Sequence, residues 1–91
     1  MNDTILSRFA TPYEVQQRLA HVVKRTRRSR KHSRSKASAQ TGVPEATIRR
    51  FEDTGEISLR QFLVLWNHYC DLKDLNQLAR EDLRSLDEID L

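Results

Sequence analysis

The sequence predicts an all-α domain of five helices, and three observations carry that expectation. Apolar residues recur at three- and four-residue steps over long stretches: Val15, Leu19, Val22 and Val23 first, then Leu59, Phe62, Leu63, Trp66, Tyr69 and Cys70. Two segments, Thr11-Pro12-Tyr13-Glu14 and Ser58-Leu59-Arg60-Gln61, carry the capping-box signature of a helix start. Glycine and proline occur only twice each in 91 residues, which leaves few of the breaks that strands and hairpins need.

The first helix is expected from Pro12 to about Ser29. Thr11 caps free amides, Pro12 suits the first helical position, and Glu14 can reach back to the cap. The apolar stripe Val15, Leu19, Val22 and Val23 is its expected core face. Next comes a weak stretch, because no apolar residue larger than alanine occurs between Lys24 and Gly42. A second helix there has little to bury and is expected to be held weakly. Gly42 can take a positive φ and turn the chain sharply, Val43 can plug the gap beneath the turn, and Pro44-Glu45 opens a third helix. On that helix Ile48 and Phe51 face inward, leaving Glu45, Ala46, Arg49 and Arg50 outward and Thr47 between the faces. The helix after Ser58 is the expected centre of the core, with Val64 and Leu65 widening its apolar surface toward a second contact. Leu72, Leu75, Leu78 and Ala79 predict a fifth helix whose leucines are candidates for a dimer seam. The domain boundaries follow as an arm over 1–11, a helical domain over 12–80 and an acidic end over 81–91.

Composition narrows the function classes. With 37% hydrophobic and 32% charged residues the core is small, and a second subunit would help to bury apolar surface. The single cysteine, Cys70, excludes an internal disulfide framework and fits a reducing cytoplasm. No stretch has the length and apolarity of a signal peptide or a membrane span. The net charge of +3 hides an asymmetry: residues 1–70 carry thirteen Lys/Arg against six Asp/Glu, and residues 71–91 carry three against seven. Between Lys24 and Lys36 stand eight Lys/Arg and no acid, a run that attracts a polyanion. Composition alone leaves open a solvated basic segment, a nuclear-localisation patch or an arginine-rich RNA-binding arm. His21, His32 and His68 are scattered, and no nucleophile motif, phosphate loop or metal-ligand spacing occurs, so neither an enzyme nor a cofactor is expected.

Two short helices joined by a glycine turn, the second offering arginines outward, form an arrangement that enters a DNA major groove. Here the sequence resembles the Xre (Cro/repressor-type) helix-turn-helix family, in Arg27, Ser38, Gly42-Val43, Thr47-Ile48, Phe51-Glu52 and Gly55. The resemblance covers about residues 12–80. The segments TPYEVQQRLA, RRFEDTGEISL and SLDEIDL further resemble HipB-like antitoxins encoded beside HipA-type kinase toxins.

The resemblance implies a repressor-like, homodimeric domain that binds a pseudo-palindromic operator in double-stranded DNA. Glu45, Ala46 and Arg50 then fall where the family reads base edges, and Thr47 and Arg49 where it meets base edges or backbone. Arg34 falls where the family grips phosphate, with Lys36 of the basic run beside it. Arg27 and Glu52 match a structural ion pair between the first and third helices. The implied function is a transcriptional repressor of the bacterial cytoplasm, in its sharper form the autoregulating antitoxin of a toxin–antitoxin operon with a HipA-like kinase as partner. A phage-type repressor, a restriction-modification controller and an interaction module that chiefly neutralises a toxin share these residues. The chain departs from the family at Lys31, His32 and Ala37, where a glycine, a large apolar residue and a leucine are usual, and at Pro44, where serine usually caps.

Overall fold

The computed structural model describes residues 10–80. Of the arm expected over 1–11 only Ala10 and Thr11 are included, and the acidic end over 81–91 lies outside the described residues. The described chain is all-α: α1 (Pro12–Ser29), α2 (Arg34–Thr41), α3 (Glu45–Thr54), α4 (Leu59–Tyr69) and a fifth helix, α5, at 73–80.

Local chemistry sets each boundary. Thr11 Oγ1 accepts the Glu14 N–H at 3.1 Å, and Pro12 occupies the first turn of α1. The capping box is only half made, because the Glu14 carboxylate faces Arg18 one turn on, at 3.7 Å, rather than the cap. At the other end the His32 N–H donates to the Arg27 carbonyl and the Lys31 N–H to the Arg28 carbonyl, a Schellman closure. Lys31 sits in the left-handed region at φ 59°, a conformation that favours glycine. Ser33 caps α2 by accepting the Lys36 N–H at 3.0 Å, and Gly42 ends it at φ 80°. Pro44 precedes α3 without any side-chain cap, and Gly55 closes that helix at φ 82°. Ser58 Oγ caps α4 by accepting the Gln61 N–H; the Gln61 side chain bonds the same hydroxyl instead of reaching the Ser58 backbone. Asp71 Oδ1 accepts the Lys73 N–H where α5 begins.

The core is Ala20 and Val23 of α1, Ala37 of α2, Val43 of the turn, Ile48 and Phe51 of α3, and Phe62, Leu65 and Tyr69 of α4. Phe51 and Phe62 meet edge to face at 5.9 Å between centroids. α1 and α2 both pack on α3 and on α4. Only Ala37 of α2 is fully buried, so this helix buries little apolar surface, as the lack of large side chains predicts.

Two apolar stripes are corrected. Val15 and Val22, expected to face the core, are each 41% exposed. They stand seven residues apart on one line of α1, while Ala20, Val23 and Arg27 form the buried line beside it. On the latter line Ala20 and Val23 join the core and Arg27 meets the buried Glu52. Leu59, expected in the α4 stripe, is 73% exposed. It lies at the first position of α4, where with Leu63, Val64 and Leu72 it lines an open groove at the α4–α5 corner.

Candidate nucleic-acid interface

The site is built on one buried carboxylate. Glu52, on the inner face of α3 beside Phe51, has a side chain fully withdrawn from solvent. Arg27 meets it side-on, Nε donating to Oε2 at 2.7 Å and Nη2 to Oε1 at 2.8 Å, while Arg27 Nη1 donates to the His32 carbonyl at 2.7 Å. Arg34, the first residue of α2, adds a third bond from Nε to Oε1 at 3.0 Å. One carboxylate thus ties the end of α1 and the start of α2 to α3, and among the described residues no buried side-chain nitrogen or oxygen lacks a hydrogen-bond partner. The bonds to Glu52 hold the Arg27 guanidinium above its usual pKa; burial opposes this, and the carboxylate charge adds to the upward shift.

Around this tie lies a basic cleft. Lys24 and Arg28 of α1, Ser33, Arg34 and Ser35 at the start of α2, and Glu45 and Arg49 of α3 line it. Ser33, Arg34 and Ser35 bring the start of α2 to its wall, and helix N-termini favour anions. Farther along α3 a shallow concavity is walled by Glu45, Ala46, Arg49, Arg50, Asp53 and Thr54. Glu45, Ala46, Arg49 and Arg50 are all exposed and Thr47 half-buried. The residues expected on the outer face of the third helix therefore share one surface, which runs into the cleft through Glu45 and Arg49.

Two expected site residues have additional engagements, and a third stands apart from the cleft. Arg34 lines the cleft but spends its Nε on Glu52, leaving its terminal nitrogens for an anion. Arg50 is paired with Glu56 at 2.7 Å. Lys36 is exposed on α2 but does not line the cleft. The basic run 24–36 is likewise no single solvated tract. Arg27 is buried, and Arg30 donates to the His68 carbonyl at 3.0 Å with its guanidinium 5.3 Å from the Tyr69 ring centroid. Lys24, Arg28, Ser33 and Ser35 were not singled out by the sequence reading. Their signal was the α1 period that sets Lys24 and Arg28 four apart on one face, and the capping pattern at Ser33.

A second polar cluster stands behind the cleft. His32 Nδ1 lies 3.0 Å from the Tyr69 hydroxyl, and His68 Nε2 lies 2.8 Å from Gln40 Oε1. His32 is held below its ordinary pKa, first by loss of solvent and then by the positive surroundings of Lys36, His68, Arg30 and Arg27. Burial raises the Tyr69 hydroxyl and Cys70 thiol pKa values, which disfavours a thiolate at Cys70. Among the described residues no three His, Cys, Asp or Glu side chains gather as metal ligands, and no helix is long and apolar enough to cross a membrane.

Comparison with family models, curated proteins and solved structures returns no match.

Proposed function

We propose that this protein is a sequence-specific DNA-binding repressor whose α2–turn–α3 unit is a helix-turn-helix, with α3 lying in the major groove. The observation that carries the reading is the continuity of two chemically different surfaces. The outer face of α3 offers polar and basic side chains suited to base edges, and the adjoining cleft offers cations and the α2 N-terminus suited to a phosphate. Helix diameter and groove width match, so α3 can enter while α1 and α2 straddle the strand beside it. Arg50 is the candidate base reader, able to give guanine O6 and N7 a bidentate pair; Arg34 is the candidate phosphate contact.

The apolar groove of Leu59, Leu63, Val64 and Leu72, together with Leu78 exposed on α5, supports a homodimer reading half-sites about one helical turn apart. Binding an operator that overlaps a promoter would repress by steric exclusion. Autoregulation as a HipB-like antitoxin in the bacterial cytoplasm, with a HipA-like kinase as second partner, is the sharper form of this proposal.

The test compares Arg50→Ala with Arg34→Ala on a fragment of the protein's own promoter and on scrambled duplex. With roughly six to ten phosphates neutralised per dimer, wild-type affinity falls on the order of a thousandfold or more between 50 and 200 mM salt. Arg50→Ala loses binding to the promoter fragment and relaxes the preference at one symmetric pair of base positions. Arg34→Ala weakens both duplexes by similar factors and flattens the salt dependence. A flat wild-type salt response, or an unchanged promoter preference in Arg50→Ala, overturns the docking of α3.

A further inference from the structure

Arg50 is exposed but not unattached. Its Nε and Nη2 both donate to a single oxygen, Glu56 Oε2, at 3.1 and 2.7 Å. Glu56 lies beyond the end of α3, six residues on, where helical periodicity alone brings no partner. A closed chain of bonds brings it there. The Thr54 hydroxyl donates to the Arg50 carbonyl at 2.7 Å and accepts the Glu56 N–H at 3.1 Å. Between them Gly55 turns the backbone at φ 82°, and α1 pins the turn: Gln17 Nε2 donates to the Thr54 carbonyl at 2.9 Å and Gln16 Nε2 to the Gly55 carbonyl at 3.2 Å. The approach is close enough that a Cβ on Gly55 would stand 3.0 Å from Gln16 Cβ. Backbone-anchored contacts therefore set where the Glu56 carboxylate starts, unlike most pairs of long surface side chains.

We propose that Glu56 is a positioning residue for Arg50, holding one edge of its guanidinium so that the other end meets a guanine. The inference rests on the reading of α3 as the base-contacting helix. A guanidinium carries five donors in a rigid planar fork. Glu56 takes the Nε–Nη2 edge, which leaves the Nη1–Nη2 end as the pair that matches O6 and N7. The carboxylate also offsets the pull of neighbouring phosphates on Arg50, which favours a base contact over a backbone one. Without it the arginine would spread over many rotamers, and ordering it on a base would cost more.

The experiment selects binding sites from a randomised duplex pool with the full chain. It then measures selected and scrambled duplexes at one fixed salt concentration for wild type, Glu56→Ala, Glu56→Gln, Arg50→Ala and the Glu56→Ala/Arg50→Ala pair. Glu56→Ala loses about fivefold or more of the guanine preference that depends on Arg50, the scale of one bidentate base contact. Its affinity for scrambled duplex holds or rises, because a negative charge has left a surface that faces phosphates. Glu56→Gln, which keeps an acceptor oxygen, retains part of the preference. In the Arg50→Ala background Glu56→Ala changes the preference no further. The contrary result is of opposite sign: if Glu56→Ala tightens selected and scrambled duplexes by the same factor and leaves the preference intact, Glu56 merely competes with DNA and the inference is overturned. If the wild-type chain selects no sequence from the pool, the reading of α3 falls and this inference with it.

Discussion

Glu52→Gln removes the charge that two arginines share, and the structure sets the size of the loss. Arg27 is 8% exposed at its side chain and cannot turn to water; Arg34, at 26%, can recover hydration at its terminal nitrogens. The damage is therefore mainly that of stranding one buried guanidinium, about 3–5 kcal/mol when a buried pair loses a partner. Glutamine still offers one oxygen and Arg27 keeps the His32 carbonyl, so a value near 3 kcal/mol is expected. A small domain of about 5 kcal/mol total stability would lose more than half of it. Urea unfolding followed by circular dichroism measures the loss directly, and the thermal midpoint should drop by roughly 12–24 °C. Replacing both partners, Arg27→Met with Glu52→Gln, leaves no stranded charge at this pair and should recover at least about 1 kcal/mol of the single-variant loss. The reasoning is refuted if Glu52→Gln stays within about 1 kcal/mol of wild type, or if the double variant shows the plain sum of the single losses. Because the pair fastens α3 to α1, the same variant should also weaken duplex binding.

Two further outcomes follow from the α1–α2 connection. Lys31→Gly relieves a left-handed residue at the Schellman position and should stabilise the fold by up to about 1 kcal/mol, after allowing for the greater freedom of glycine in the unfolded chain; a lower urea midpoint would contradict this. His32 is held below its ordinary pKa in the fold, so the unfolded chain takes up a proton near pH 6.5 that the native protein does not. Its contribution is complete above that pH and is lost as pH falls toward the native pKa. Urea midpoints from pH 8 to pH 5 should decline more for wild type than for His32→Gln, and superimposable profiles would show that His32 carries none of the slope.

The element boundaries were legible in the sequence because they rest on local chemistry. Thr11 and Ser58 satisfy amides within three residues of themselves, as does Ser33, whose cap was not foreseen, and Gly42 turns the chain without steric help, since no atom crowds the place of its Cβ. The outward face of α3 was legible for the same reason, as helical period alone separates Arg49 and Arg50 from Ile48 and Phe51. What lay beyond reach depended on which elements meet. Val15 and Val22 are as apolar as Val23, and only the docking of α1 on α3 and α4 selects the line that is buried. The glycine-favouring conformation of Lys31 belongs to the closure in which the His32 N–H returns to the Arg27 carbonyl, while the His32 ring meets Tyr69 of α4. The partnering of Arg50 with Glu56 crosses a glycine whose position is set by Gln16 and Gln17, thirty-nine and thirty-seven residues from their acceptors. Caps and helix faces follow from neighbours along the chain. The choice among equally apolar stripes, and the engagement of each arginine, required partners that only packing brings within about 3 Å, where a hydrogen bond can form.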